Sequence, residues 1–279
     1  MGFEFQRLVP SGPLARWVGV VWFARGRIRY AREHIAPTGS TVAVLNLGDP
    51  IVHATFGPRA SQIRATTGWI SGPHDRPSLN EPLGVTHCYG VVSTPIGCLP
   101  LFGLDPRAIR GRVVPLRDWP GGIGIRSSLD GLPPETGLRR LLAALEDGLA
   151  AAPARVERMA RAAERLEADP AVPVGDLAAA VGVSHAHLDR EFRRVVGLGP
   201  RRLAAILRVR RLLEGLDVLA DPDWSTLAAA HGWYDQSHMI RDFKRYTGVT
   251  PTAYVAAQRA HFDASEVADA SGFVPVPRD

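Results

Sequence analysis

The chain has 279 residues, 46% of them hydrophobic, which suits one large domain or two ordinary ones with a sizeable core. Two cysteines, Cys88 and Cys98, are too few for a disulfide framework, no run of 18 apolar residues offers a membrane span, and the amino-terminal MGFEFQRLVP lacks the basic start and apolar core of a signal peptide. A net charge of +5 suits a polyanionic partner without requiring one.

Residues 1–133 are rich in Gly, Pro, Val, Ile and Trp. Short apolar runs at 17–23, 41–47 and 86–93 lie between turn clusters at 36–40, 48–50, 72–77 and 121–124, the pattern of a β-rich domain. Gly131-Leu-Pro-Pro134 marks a break. Over 134–153, Leu138, Leu141, Leu142, Leu145 and Leu149 recur at helical spacing, a stripe fit either to pack on the β domain or to pair with a second subunit. Pro153 ends that linker helix, and the next is predicted from about 154 to 168, stopping before Asp169-Pro170. From 154 to 257 the chain reads as short helices with tight turns, and 258–279, polar and small from 263 onward, as a loose tail.

Two segments about fifty residues apart share a skeleton: Asp176-Leu-Ala-Ala-Ala-Val-Gly182-Val-Ser184 with Leu188, Phe192, Gly197 and Pro200, and Leu227-Ala-Ala-Ala-His-Gly232-Trp-Tyr with Met239, Phe243, Gly248 and Pro251. Phe to Gly is five residues and Gly to Pro three in both copies, whereas Gly182 to Phe192 is ten and Gly232 to Phe243 eleven, one extra residue in the second turn. A duplicated unit implies a duplicated structural job. Alanines 178–180 and 228–230 let one helix lie close to the next; Gly182 and Gly232 sit where a helix must end and turn, often with positive φ. Val183 and Trp233 plug the corners. Ser184 is a good N-cap for the following helix, and Asp235 or Ser237 would serve in the second copy. Leu188/Phe192 and Met239/Phe243 are spaced i, i+4 and form the buried stripe of each second helix. Left outward are His185, His187, Asp189, Arg190 and Arg193 in one copy, and Gln236, His238, Arg241, Lys244 and Arg245 in the other. That is the helix-turn-helix arrangement, whose second helix enters a major groove of DNA. Between the copies, Leu203, Ile206, Leu207, Arg210, Leu213 and Leu216 mark a helix over 201–219, roughly 25 Å long, fit to hold two reading helices about one DNA turn, on the order of 34 Å, apart.

These motifs resemble the AraC family of bacterial regulators across residues 155–257. The most specific are Gly182-Val-Ser184-x3-Leu188-x-Arg190-x-Phe192, Gly197-x2-Pro200, and Gly232-Trp-Tyr-Asp-Gln-Ser237-x5-Phe243-Lys244-x3-Gly248-x2-Pro251. Lys244, the chain's sole lysine, falls in the family's habitual Phe-Lys pair. The resemblance implies that Ala186, Asp189 and Arg190, and Ser237, His238 and Arg241, read base edges. Asp189 departs from the pattern, because an acid repels phosphates; it is suited either to accept from a cytosine amino group or to pair with a neighbouring arginine. More weakly, 91–119, with Phe102-Gly103, Arg110-Gly111 and Val114-x-Leu116, resembles the sensor domains attached to some such regulators, which implies a β-barrel-like regulatory domain. The expected fold is thus α+β, a β-rich barrel-like domain followed by an all-α domain with two helix-turn-helix units.

The arginine bias is what a GC-rich genome produces, so arginine content by itself is not read as nucleic-acid binding; the clustering of Arg190, Arg193, Arg241, Lys244 and Arg245 on equivalent helix faces is. Trp17, Trp22, Trp69 and His87 are weak effector-site candidates, since a tryptophan is more often core. His34, His53, His74 and His87 lack metal-ligand spacing, and Cys88 and Cys98 are expected to be buried free thiols. Gly121-Gly122-Ile-Gly124 is a turn and not a dinucleotide fingerprint, and no catalytic constellation has the right spacing, so neither an enzyme nor a cofactor or metal is expected. The expected partners are promoter or operator DNA, RNA polymerase, a small-molecule effector and a second copy of the chain, at the nucleoid in the bacterial cytoplasm. The expected function is a sequence-specific, effector-responsive transcription activator; the alternatives make the first domain a constitutive dimerisation module or an enzyme.

Overall fold

The computed structural model describes residues 3–263, 266 and 269–276. The amino-terminal part is built on two antiparallel sheets. One carries β1 (Glu4–Leu8), β2 (Val18–Gly26), β9 (Thr86–Ser93), β4 (Val42–Asn46), β7 (Gly68–Ser71) and β10 (Val113–Pro115), in that spatial order. The other runs β11 (Phe273–Val276), β3 (Arg32–Ile35), β8 (Ser78–Pro82), β5 (Ile51–Ala54) and β6 (Gln62–Ala65).

Strand alternation sorts the side chains of the first sheet into two layers. Cys88, Val44 and Trp69 face between the sheets, where Ile51 and Ala65 meet them from the second sheet. Tyr89, Val91, Leu45 and Ile70 point the other way, toward the helices. Gly90 sits among the inward residues because the Trp22 indole fills the space its side chain would need. Cys88 and Cys98 are free and buried in different layers, and burial pushes both thiols up to about 12.

Four helices lie after β9, two before β10, α1 (Cys98–Phe102) and α2 (Pro106–Ile109), and two after it, α3 (Gly122–Ser128) and α4 (Pro134–Asp147). The leucine stripe of α4 meets its own sheet: Leu138, Leu141 and Leu145 are buried, α4 packs on β1 and β2, and Gly137 lies against the Tyr89 hydroxyl. Of the two uses open to that stripe, packing within the chain is the one realised.

The rest is helical: α5 (Ala154–Ala168), α6 (Val174–Ala180), α7 (His185–Val196), α8 (Pro200–Gly215), α9 (Trp224–Ala230), α10 (Gln236–Thr247) and α11 (Pro251–His261). Helix α8 is shorter than the predicted 201–219. It stops at Gly215, a poor helix former, and Asp217 Oδ1 then accepts from the Leu219 amide at 2.9 Å to turn the chain away.

The expected loose tail over 258–279 needs correction. Helix α11 runs to His261, and β11 pairs antiparallel with β3, Phe273 opposite Ile35 and Val276 opposite Arg32. Gln258 Nε2 donates to the Phe273 carbonyl at 2.6 Å, and the Ala36 amide donates to the Gly272 carbonyl at 2.8 Å. The Phe-Val-Pro-Val run is apolar enough to bury Val274, and Pro275 is tolerated because β11 is an edge strand. One apolar cluster runs through the outer layer of the first sheet into the helices, with no break at the change of fold.

Candidate nucleic-acid interface

Both repeats turn by the same hydrogen bonds. Val183 N–H donates to the Ala178 carbonyl at 3.0 Å and Gly182 N–H to Ala179 at 3.1 Å; Trp233 N–H donates to Ala228 at 2.9 Å and Gly232 N–H to Ala229 at 3.1 Å. This is the Schellman closure of a helix, and it requires the left-handed φ of +67° at Gly182 and +77° at Gly232. Ser184 Oγ then caps α7 by accepting from the His187 amide at 3.3 Å, and Asp235 caps α10 by accepting from the His238 amide at 2.6 Å. The extra residue of the second turn is Tyr234, which is 93% exposed just before α10.

Leu188, Phe192, Met239 and Phe243 are fully buried, which orients each second helix. His185, Ala186, Arg190 and Arg193 on α7, and Gln236, Ser237, Arg241 and Lys244 on α10, are exposed; His187, Asp189 and His238 are half-buried. Asp189 pairs with Arg193 at 2.8 Å, the neighbouring-arginine alternative, and Arg190 Nη2 lies 3.2 Å from His187 Nδ1. His238 lies 3.7 Å from Asp242, which also accepts from the Trp233 indole at 3.0 Å. Gln236 accepts from the Ser225 hydroxyl at 3.0 Å.

Arg245 does not share this outward face. It is half-buried and donates to Asp75 at 2.8 Å, across the boundary with the β domain. Asp75 also holds Arg202 of α8 at 3.3 Å. Burial works to raise the Asp75 carboxyl, but Arg245, Arg202 and Arg110 outweigh it and hold it below the usual carboxylate range. Asp75 belongs to the 72–77 loop between β7 and β8. The same loop places Pro73 beside Gly197 and Pro77 beside Gly248, the glycines that end α7 and α10. A turn cluster in the sequence is therefore the point at which the β domain touches both repeats. Sequence reading took 72–77 only as a turn and α8 only as a buried connector, so Asp75, Arg110 and Arg202 were missed. Nothing local to a Pro-His-Asp-Arg-Pro turn shows which distant helix it meets.

The effector candidates do not converge. Trp22 and Trp69 face between the sheets, whereas Trp17 lies in the other layer under Arg16, and His87 packs edge-on to Phe23 on the helix side. What gathers between the sheets is a row that sequence reading missed. Glu33, Asn80 and His53 are cross-strand neighbours on β3, β8 and β5, all buried, and His53 stacks on Trp69 with ring centroids 4.8 Å apart. Asn80 donates to Glu33 at 3.0 Å. Burial pushes Glu33 up to about 7 and His53 down to about 3.

Residues 177–257 match a helix-turn-helix domain family, and residues 6–115 match a domain of unknown function (DUF6597). No curated protein matches the chain. Among solved structures, ToxT from Vibrio cholerae is similar at 10% identity over 92% of this chain and 98% of its own, with a TM-score of 0.48. Wild-type ToxT from Vibrio cholerae strain SCE256, with an unsaturated fatty acid bound, is similar at 10% identity over 91% of this chain and 94% of its own, with a TM-score of 0.48. A transcriptional regulator with an AraC-type DNA-binding domain from Chromobacterium violaceum is 25% identical over 38% of this chain and 96% of its own, with a TM-score of 0.33. With paired turns, matched caps and outward polar faces on both units, residues 177–257 are an AraC-type helix-turn-helix DNA-binding domain, and the chain is a transcription regulator built on it.

Proposed function

We propose that this regulator is effector-responsive and acts as an activator at promoters, in the bacterial cytoplasm, with RNA polymerase as its further protein partner. In this reading α7 and α10 enter successive major grooves. Ala186, Asp189 and Arg190 on one, and Ser237, His238 and Arg241 on the other, face base edges, while His185, His187, Arg193, Gln236 and Lys244 flank them toward the phosphates. The observation that carries the regulatory part is the 72–77 loop, because a β domain that touches the end of both reading helices is placed to bias how they are arranged. An effector that favours one arrangement shifts the population of DNA-competent molecules.

The test is selection of binding sites from random duplex DNA with the full-length protein, repeated with candidate effectors, an unsaturated fatty acid among them. Two information-rich blocks about one helical turn apart are expected, with affinity that changes saturably with one effector. Salt-sensitive binding without any motif overturns the assigned base readers. A motif whose affinity no effector alters favours the constitutive oligomerisation module instead.

A further inference from the structure

A cleft of about 570 Å³ opens between the two reading helices. Its sides are the first turns of α7 and α10, represented by His185, Ala186 and His238, and its floor is the start of α8. Five arginines line it, Arg110, Arg193, Arg201, Arg202 and Arg208, against two carboxylates, Asp189 and Asp242. Several of these charges are already engaged: Arg193 by Asp189, Arg202 by Asp75, and Asp242 by Trp233 and His238. Arg208 stacks over Trp233 and donates to the Gly232 carbonyl at 3.1 Å. Arg110 and Arg201 remain without a carboxylate in ion-pair distance among the described residues, although the charge of Arg110 still acts on Asp75 from farther off.

Arg110 comes from outside the helix-turn-helix domain. It follows α2, which packs against α7. Its backbone is fixed on the 72–77 loop: the Gly111 amide donates to the Pro73 carbonyl at 2.9 Å, and the Gly72 amide donates to the Arg112 carbonyl at 2.9 Å. Arg59 adds a brace by donating to the Arg107 and Ala108 carbonyls at 2.9 and 3.0 Å. A half-buried arginine thus lines a basic cleft from a backbone held by these hydrogen bonds. A duplex that presents successive major grooves to α7 and α10 must lay the intervening strand across whatever stands between them, and that is this cleft.

We propose that the cleft is a site for DNA backbone phosphates, and that Arg110, supplied by the β domain, is one of its ligands together with Arg201. The inference rests on the DNA-binding reading given above. It makes the first domain part of the DNA interface itself, so that a shift of the 72–77 loop moves a phosphate contact directly.

The test is a salt titration of full-length protein on its selected duplex and on a scrambled one, for wild type, Arg110→Ala, Arg110→Lys and Arg112→Ala. Arg112 is exposed next to Arg110 but does not line the cleft. Arg110→Ala is expected to weaken both duplexes severalfold by the same factor, to lower the slope of log affinity against log salt by about 1, and to leave the selected motif unchanged. Arg110→Lys should restore the slope, and Arg112→Ala should match wild type. Equal slope and affinity for Arg110→Ala and wild type overturn the inference while leaving the DNA-binding reading intact. Loss on only one of the two duplexes also overturns it, since a phosphate ligand is blind to sequence. Absence of salt-sensitive binding by the wild type overturns both.

Discussion

The two helix-turn-helix units share a closing turn, a capped second helix and a buried aromatic, yet they are held differently. The first unit satisfies its reading helix from within, through Asp189–Arg193 and Arg190–His187, and rests α7 on α2. The second has Arg241 and Lys244 exposed on its outer face and is tied to the β domain through Arg245 and Asp75. Duplication conserved the geometry that makes a corner and left the chemistry of each face to diverge. Among the described residues Arg241 and Lys244 carry no ion pair, whereas Arg190 and Arg193 are engaged within α7.

The largest effects test what the units share. Phe192→Ala and Phe243→Ala each empty a fully buried aromatic site in one common cluster, and each should cost about 3–5 kcal/mol in denaturant unfolding. A gap of more than half between them would mean that the two cores are not equivalent. Next comes the contrast in reading. Arg241→Ala should weaken binding to the selected site by about 1–3 kcal/mol and relax one position of the motif. Arg190→Ala should cost less, because wild-type Arg190 is already engaged by His187; an equal or larger loss would break the comparison. The caps come third. Ser184→Ala and Asp235→Ala should each lower stability by about 1 kcal/mol in thermal unfolding, with Asp235 costing more because its carboxylate accepts the shorter bond. The smallest effect is the most selective. Asp75→Asn should speed amide hydrogen exchange in α10 severalfold and leave the middle of α7 unchanged. Because the folded value of Asp75 is lowered, its contribution is present above the ordinary carboxylate pKa of about 4 and is lost as pH falls through the lowered folded value. Protection in α10 should therefore persist on acidification to about pH 4, and earlier loss would assign the tie to another group.

How much of this was legible depended on how local the cause was. Gly182, Gly232, Ser184 and Asp235 act through bonds to residues a few positions away, and their roles are readable from spacing. The buried stripes on α7 and α10 follow from period alone. The Glu33–Asn80–His53 row depends on which strands become neighbours, and β3, β8 and β5 are not consecutive in the chain. The docking of Arg245 on Asp75 joins residues 170 positions apart, and helical periodicity gave Arg245 the same standing as Arg241. Strand β11 was hidden by its setting, a four-residue apolar run behind a polar stretch, too short to announce a partner.

That strand also sets an order of events. The β domain is discontinuous, since one edge of its second sheet comes from residues that follow the whole helical region. During synthesis β3 must wait with an open edge until both helix-turn-helix units have been made, so the amino-terminal domain is completed after the helical one. Cuts before α5 and after α11 that free the helical domain therefore also take β11 away from the other domain, which is left without an edge strand of its second sheet.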